Sequence, residues 1–331
     1  MLARISTVGK KLGLNISTPI LIPSFSTKGF RFDQEGRSEI SNIVNLMSEW
    51  LTESMLVSAH DIYHKYIPED ISTVTDLVFI DSGGYEKLID DDFSSVFFTG
   101  SSVHEWNENF LKEVYDKWTN LTSCVIVSYD NKKPVQEQIE SANDLFINYP
   151  DSLHSILLKR EKEEQCYINI NSILSNIQNL GKFDIIGLTE KELGNSLLTR
   201  MNNIAIIRQE LDNNGINTPL HIFGSLDPVT SPLYFLAGAE IFDGLTWLRY
   251  SYLNGIAVYQ HNYGAIQTGV SIRDDRVRTQ SFAENINYLE ELKLQMKSFV
   301  LNKGDFTKFK FHADLFRTSY DSLCTKLGVL T

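Results

Sequence analysis

Leu77-Val78-Phe79-Ile80-Asp81-Ser82-Gly83-Gly84-Tyr85 and, much later, Ala239-Glu240-Ile241-Phe242-Asp243-Gly244-Leu245-Thr246-Trp247 each run from an apolar segment into an aspartate beside glycine. A carboxylate at the end of a buried strand is where α/β proteins place chemistry. Six other short apolar runs each stop at a glycine or a polar residue: Pro19 to Pro23, Ser54 to Ala59, Cys124 to Tyr129, Ser155 to Lys159, Phe183 to Gly187 and Leu220 to Phe223. Most are continuous rather than alternating, as expected of strands covered on both faces of a parallel sheet.

Helical spacing fills the intervals. Ser38 to Leu51, His104 to Trp118, Gln136 to Phe146, Asn195 to Leu211 and Pro228 to Ala237 each carry an apolar stripe. Eight strands alternating with helices predict an α/β fold of the (β/α)8 TIM type over residues 1–250. Residues 251–331 are expected to form a helical extension packed on that barrel. Within it, Glu284 to Phe299 predicts an amphipathic helix through Ile286, Leu289, Leu292, Met296 and Phe299.

Composition sets limits. The chain has 331 residues, 42% of them hydrophobic, enough for one large core. A net charge of −12 argues against a protein that coats nucleic acid broadly. Cys124, Cys166 and Cys324 are too sparse for a disulfide framework or a clustered zinc site, which fits a reducing cytoplasm. No apolar run reaches the ~20 residues of a membrane span.

The predicted strand ends bring Ser24, His60, Asp81, Asp130, Lys159, Gly187, Gly224 and Asp243 to one rim. Any one aspartate there is ordinarily a cap or turn former. Three together suit displacement at a sugar carbon: one carboxylate attacks, another moves a proton, and a third accepts hydrogen bonds from a base edge. The same set with a histidine could instead bind a divalent metal, although no His-x-His strand motif is present.

In order and spacing, six blocks resemble the tRNA-guanine transglycosylase family. Thr18-Pro19-Ile20-Leu21-Ile22-Pro23 is similar to its entry strand, and Asp81-Ser82-Gly83-Gly84-Tyr85-Glu86 to its Asp-Ser-Gly-Gly-Phe-Gln block. Val127-Ser128-Tyr129-Asp130, Gly187-Leu188 with Glu192, His221 to Pro228, and Ile241-Phe242-Asp243-Gly244 follow. The resemblance implies Asp243 as nucleophile at C1′ and Asp81 as general acid and base, facing one ribose from adjoining strands. It implies a base site made by Ser82, Gly83, Gly84, Tyr85, Asp130 and Lys159, with the Gly187-Leu188 backbone beside it. No cofactor and no metal are expected. The chain departs from the family in three ways: the Cys-x-Cys-x-x-Cys…His zinc module is absent, Lys159 stands where a glutamine is usual, and Leu245-Thr246-Trp247-Leu248-Arg249 replaces a Pro-Thr-Arg turn.

These departures resemble the branch that inserts 7-deazaguanine derivatives into DNA more than the tRNA-acting enzymes. The expected partners are therefore DNA rather than tRNA, a free 7-deazaguanine base, and a helper protein that opens the duplex, with no membrane. Alternatives within the resemblance are RNA modification and a catalytically silent binding subunit. Arg160, Arg249, Arg273, Arg276 and Arg278 are candidate phosphate contacts. Between Lys293 and Lys326, seven basic side chains against three acidic ones interleave with Phe306, Phe309, Phe311, Phe316 and Tyr320. That mixture suits extruded bases, or equally a tail whose aromatics pack on the barrel.

Overall fold

The computed structural model describes residues 1–84 and 105–328. Eight parallel strands close into a barrel: β1 (Ile20–Phe25), β2 (Ser54–Ser58), β3 (Leu77–Asp81), β4 (Cys124–Val127), β5 (Leu153–Leu158), β6 (Ile185–Thr189), β7 (Leu220–Phe223) and β8 (Ile241–Gly244). β8 pairs with β1 to complete the ring, with Asp243 opposite Ile22. The (β/α)8 architecture read from the sequence is the one observed.

Residue alternation decides what faces inward. Ile20, Ile22, Leu56, Leu77, Phe79, Val125, Val127, Leu153, Leu157, Ile185, Phe223 and Ile241 fill the interior. Intervening residues such as Leu21, Met55, Val78 and Ile186 join the larger core beneath the helices. Following the pairings once around the ring returns to β8 eight residues lower, a shear of eight. With that stagger, Ile22, Phe79, Ser155 and His221 form one interior layer. Asp243, Leu56, Val127 and Gly187 lie above it, and Ser24, Asp81, Leu157 and Phe223 above those. The interior is therefore apolar at the bottom, with Ile20, Leu77, Val125, Leu153, Ile185 and Ile241, and mixed toward the C-terminal mouth, where Ser24, Asp81 and Asp243 stand among apolar side chains. A ribbon of Thr7–Val8 with Ile16–Ser17 closes the opposite end, where Val8 and Ile16 join the interior cluster.

Helix boundaries differ from expectation in instructive places. The helix expected from His104 starts at Glu108, capped by Asn107 accepting from the N–H groups of Asn109 and Phe110. His104 itself lies outside the described residues. Pro228 precedes its helix, which runs Thr230–Leu236. The long C-terminal helix spans Asp274–Leu301, ten residues earlier than its apolar stripe suggests. Its first half buries Ser281 and Asn285 alongside Val277 and Phe282, so hydrophobic spacing is broken there. A hairpin, Ser251–Leu253 with Ile256–Val258, and helices Gln260–Gln267 and Ala313–Leu327 complete the extension. Among the described residues no helix is long and apolar enough to cross a membrane.

Asn285 joins this extension to the barrel. It is 1% exposed. Its side-chain amide donates to the carbonyls of Trp247 and Tyr250 at 2.7 and 2.8 Å, and its carbonyl accepts from the Tyr252 N–H at 2.7 Å. Trp247 in turn donates its indole N–H to the Ser24 carbonyl at 3.1 Å. Replacing Asn285 by Ala strands three buried backbone groups. We expect a loss of about 2–3 kcal/mol, read as a lower urea midpoint at unchanged slope. An unaltered midpoint would show that the staple contributes nothing.

Candidate active site at the C-terminal mouth

Asp243 sits inside β8 and is 5% exposed. A buried carboxylate survives only with donors around it, and three are present. Ser24 Oγ donates to Oδ2 at 2.8 Å. The Gly224 N–H donates to Oδ1 at 3.2 Å, and His221 Nε2 lies 3.0 Å from the same oxygen. Gly224 adopts φ +82°, a left-handed conformation that glycine reaches without strain and that turns its N–H back into the barrel. The donors come from β1, β7 and the loop after β7, so barrel closure builds the cage.

Asp81 ends β3 and also faces inward, one layer nearer the mouth. In the ring order β8, β1, β2, β3, two strands separate it from Asp243. The two aspartates thus face one another across the mouth instead of standing on adjoining strands. The cause is the strand order, since β3 is the third strand around the ring from β8.

After Asp81 the chain turns sharply, and the glycines explain how. Gly83 has φ +79°, and a Cβ on it would lie 2.7 Å from the Trp106 ring. Trp106 Nε1 donates to the Ser82 carbonyl at 2.8 Å, locking the turn. Gly84 leaves room for Asp130: a Cβ there would lie 2.5 Å from Asp130 Oδ2. Ser82 Oγ then donates to Asp130 Oδ1 at 2.8 Å. Ser82, Gly83, Gly84 and Asp130 therefore form one unit. Tyr85 lies outside the described residues.

Lys159 follows β5 and is buried. Its Nζ lies 3.0 Å from Glu192 Oε1, 3.1 Å from Thr189 Oγ1 and 3.6 Å from Asp130 Oδ2. Burial pulls its pKa down, but Asp130, Glu192 and Asp81 outweigh this and hold it above the ordinary lysine value. The residue is a fixed cation. Gln138, from helix Val135–Phe146, brackets it by donating to the Lys159 carbonyl at 2.9 Å and accepting from its N–H at 2.9 Å.

Other expected residues are placed differently. Leu188 points outward into the core beneath the helices, so only its backbone belongs to β6 and the interior wall. Gly187 does face inward, and its missing Cβ accommodates the Phe223 ring, which would approach to 2.6 Å. Arg160 donates to the Gln165 carbonyl at 2.8 Å and braces its own loop. Arg249 donates to the Lys28 carbonyl at 2.9 Å beside the Phe30 ring. Arg273 is exposed and paired with Asp275, whereas Arg278 reaches back to Glu39. Arg276 is exposed, with no ion pair among the described residues. In the tail, Phe306, Phe309 and Phe316 are buried around Phe299 rather than offered to bases.

Sequence reasoning missed the roles of His221, Glu192 and Gln138. For His221 a signal existed: a polar residue at an inward position of a short, otherwise apolar strand needs a partner. Among the described residues no group of three or more His, Cys, Asp and Glu is arranged to hold a metal. No protein-family model matches the chain, and no curated protein matches it.

Glu192→Gln removes a carboxylate that raises the Lys159 pKa, so that pKa should fall. The sign for stability follows. A cation with a raised folded pKa contributes fully below its unfolded value and loses that contribution as pH climbs through the folded one. At neutral pH the variant should lose about 1–3 kcal/mol. A 13C titration of the Lys159 Cε tests this directly; an unmoved titration would rule out Glu192 as its electrostatic partner.

Proposed function

We propose that this chain is a nucleobase-exchange glycosyltransferase that replaces guanine in a nucleic acid, DNA in preference to tRNA, with a 7-deazaguanine base. One observation carries the reading. Asp243, caged by hydrogen-bond donors, faces Asp81 across the mouth, and a rigid acceptor–donor pair, Asp130 and Lys159, stands beside Asp81. The motif order along the chain adds support.

In the proposed reaction, an Asp243 oxygen attacks C1′ of the target nucleotide. The C1′–N9 bond breaks, its electron pair leaves with guanine, and Asp81 supplies the proton to the departing base. The incoming base then gives its N9 proton to Asp81 and attacks C1′. The C1′–oxygen bond breaks and the carboxylate is regenerated. No oxidant or reductant is needed. Asp130 accepts hydrogen bonds from ring and amino N–H groups of the base, while Lys159 donates to its carbonyl oxygen. An adenine edge reverses that donor and acceptor order, which favours a guanine-type base. Backbone N–H and carbonyl groups of the Gly187-Leu188 strand lie alongside.

Phosphate contacts fall mainly to Arg249 near the mouth and to the solvent-facing Arg276. Arg273 joins them by exchanging Asp275 for phosphate, since exposed ion pairs hold only about 0–1 kcal/mol. The buried tail aromatics leave base extrusion to the mouth and to a helper protein, because extruding a base from duplex costs a few kcal/mol. The unpaired Cys124, Cys166 and Cys324 fit a reducing, cytoplasmic setting.

The test is exchange of labelled guanine into duplex DNA, single-stranded DNA and tRNA. Asp243→Asn should abolish incorporation and the covalent adduct. Asp81→Ala should slow incorporation by about two to four decades. Full incorporation by Asp243→Asn would overturn the nucleophile assignment, and labelling of tRNA alone would overturn the DNA preference.

A further inference from the structure

We infer that His221 is a positioning residue for Asp243: its Nε2–H, together with the Gly224 N–H, anchors Oδ1 and thereby makes Oδ2 the attacking oxygen. The inference rests on the base-exchange reading for its chemistry, but its geometry is independent of that reading.

The Asp243 oxygens are unequally held. Oδ1 has two donors, His221 Nε2 at 3.0 Å and the Gly224 N–H at 3.2 Å. Gly224's is a backbone donor, and His221 is fully buried, stacked on Phe223 with ring centroids 3.9 Å apart and with the Phe79 ring edge-on at 5.8 Å. Neither donor can swing away. Among the described residues Oδ2 has only the Ser24 hydroxyl, a rotor that can redirect its hydrogen. Ser24 belongs to the layer nearer the mouth and His221 to the layer below, so Oδ2 is also the oxygen on the substrate side.

The histidine tautomer follows from the same contacts. Nδ1 of His221 is buried and has no hydrogen-bond partner among the described residues. A hydrogen placed there would have no acceptor between two phenylalanines, and a bare Nε2 would set a lone pair against a carboxylate. The hydrogen therefore sits on Nε2. When Oδ2 bonds to C1′, Oδ1 becomes the carbonyl oxygen of the ester. The two donors polarise that carbonyl, and they stabilise the charge returning to Oδ1 as the incoming base breaks the C1′–Oδ2 bond. This is the geometry of a donor pair aimed at developing charge.

Two measurements decide it. In single-turnover exchange of labelled guanine, His221→Phe removes the donor at similar ring size and should slow turnover by about 10²–10³-fold. The KM for guanine should stay near wild type, because Asp130 and Lys159 are untouched. His221→Gln restores an N–H at about the Nε2 position and should recover at least about ten-fold of the loss. Wild-type turnover in His221→Phe, or no recovery in His221→Gln, overturns the proposal. Separately, 15N-histidine NMR of the wild-type protein, with His221→Gln used for assignment, should show Nε2 protonated and Nδ1 bare, and Asp243→Asn should shift the Nε2–H proton. A hydrogen on Nδ1 overturns the proposal even if the wild type exchanges base normally. If the wild type labels no nucleic acid at all, the base-exchange reading fails, while the NMR result still stands or falls on the His221–Asp243 bond alone. A His221→Phe chain that does not fold leaves that measurement decisive.

Discussion

Closure of β8 onto β1 is the constraint on which the rest depends. The Asp243–Ile22 pairing brings Ser24 within reach of Asp243, while the pairing of β8 with β7 on its other side brings His221. An open sheet with the same strands would leave Asp243 at an edge with only the β7 donors. The shear of eight then sets the heights, placing Asp243 one layer below Ser24 and Asp81 and one layer above His221. The charged mouth and the dry floor are two ends of a single register.

The mouth is electrically lopsided. Asp81, Asp130, Asp243 and Glu192 gather there against one buried cation, Lys159. That excess of carboxylate favours ligands rich in N–H donors and disfavours anionic ones. The buried Lys159 also has a visible accommodation. A lysine buried among apolar groups shifts toward neutrality. Glu192 and Asp130 prevent this, with Thr189 taking a further N–H.

Much of this was legible in the chain. All eight strands read correctly because continuous apolar runs bounded by glycine or polar residues leave few alternatives. Asp81, Ser82, Gly83, Asp130, Lys159 and Asp243 could be placed at one mouth because strand ends in a barrel share it. What failed to read had physical causes. Arg160 and Arg278 looked like free cations, but charge spacing says nothing of a carbonyl or glutamate folded back upon them. The start of the long helix was hidden because Ser281 and Asn285 occupy positions on its buried stripe, and their purpose is hydrogen bonding across to another segment. Of the tail phenylalanines, ambiguous by sequence, Phe306, Phe309 and Phe316 are core and Phe311 is partly buried. The opposition of Asp81 and Asp243 follows from the order of the strands around the ring; their difference in height depends on stagger, which no local pattern encodes.

The Asn285 staple carries a consequence for how this molecule can vary. The amide grips the peptide groups immediately downstream of the caged carboxylate, so the residues after 250 act as a brace for the strand that ends there and not as an appendage. Recombination at that apparent seam, exchanging the tail for one from another lineage, would loosen the stave that bears Asp243. The two segments are thus bound to drift together, and novelty in substrate reach has to come from the faces of the tail that look away from the barrel.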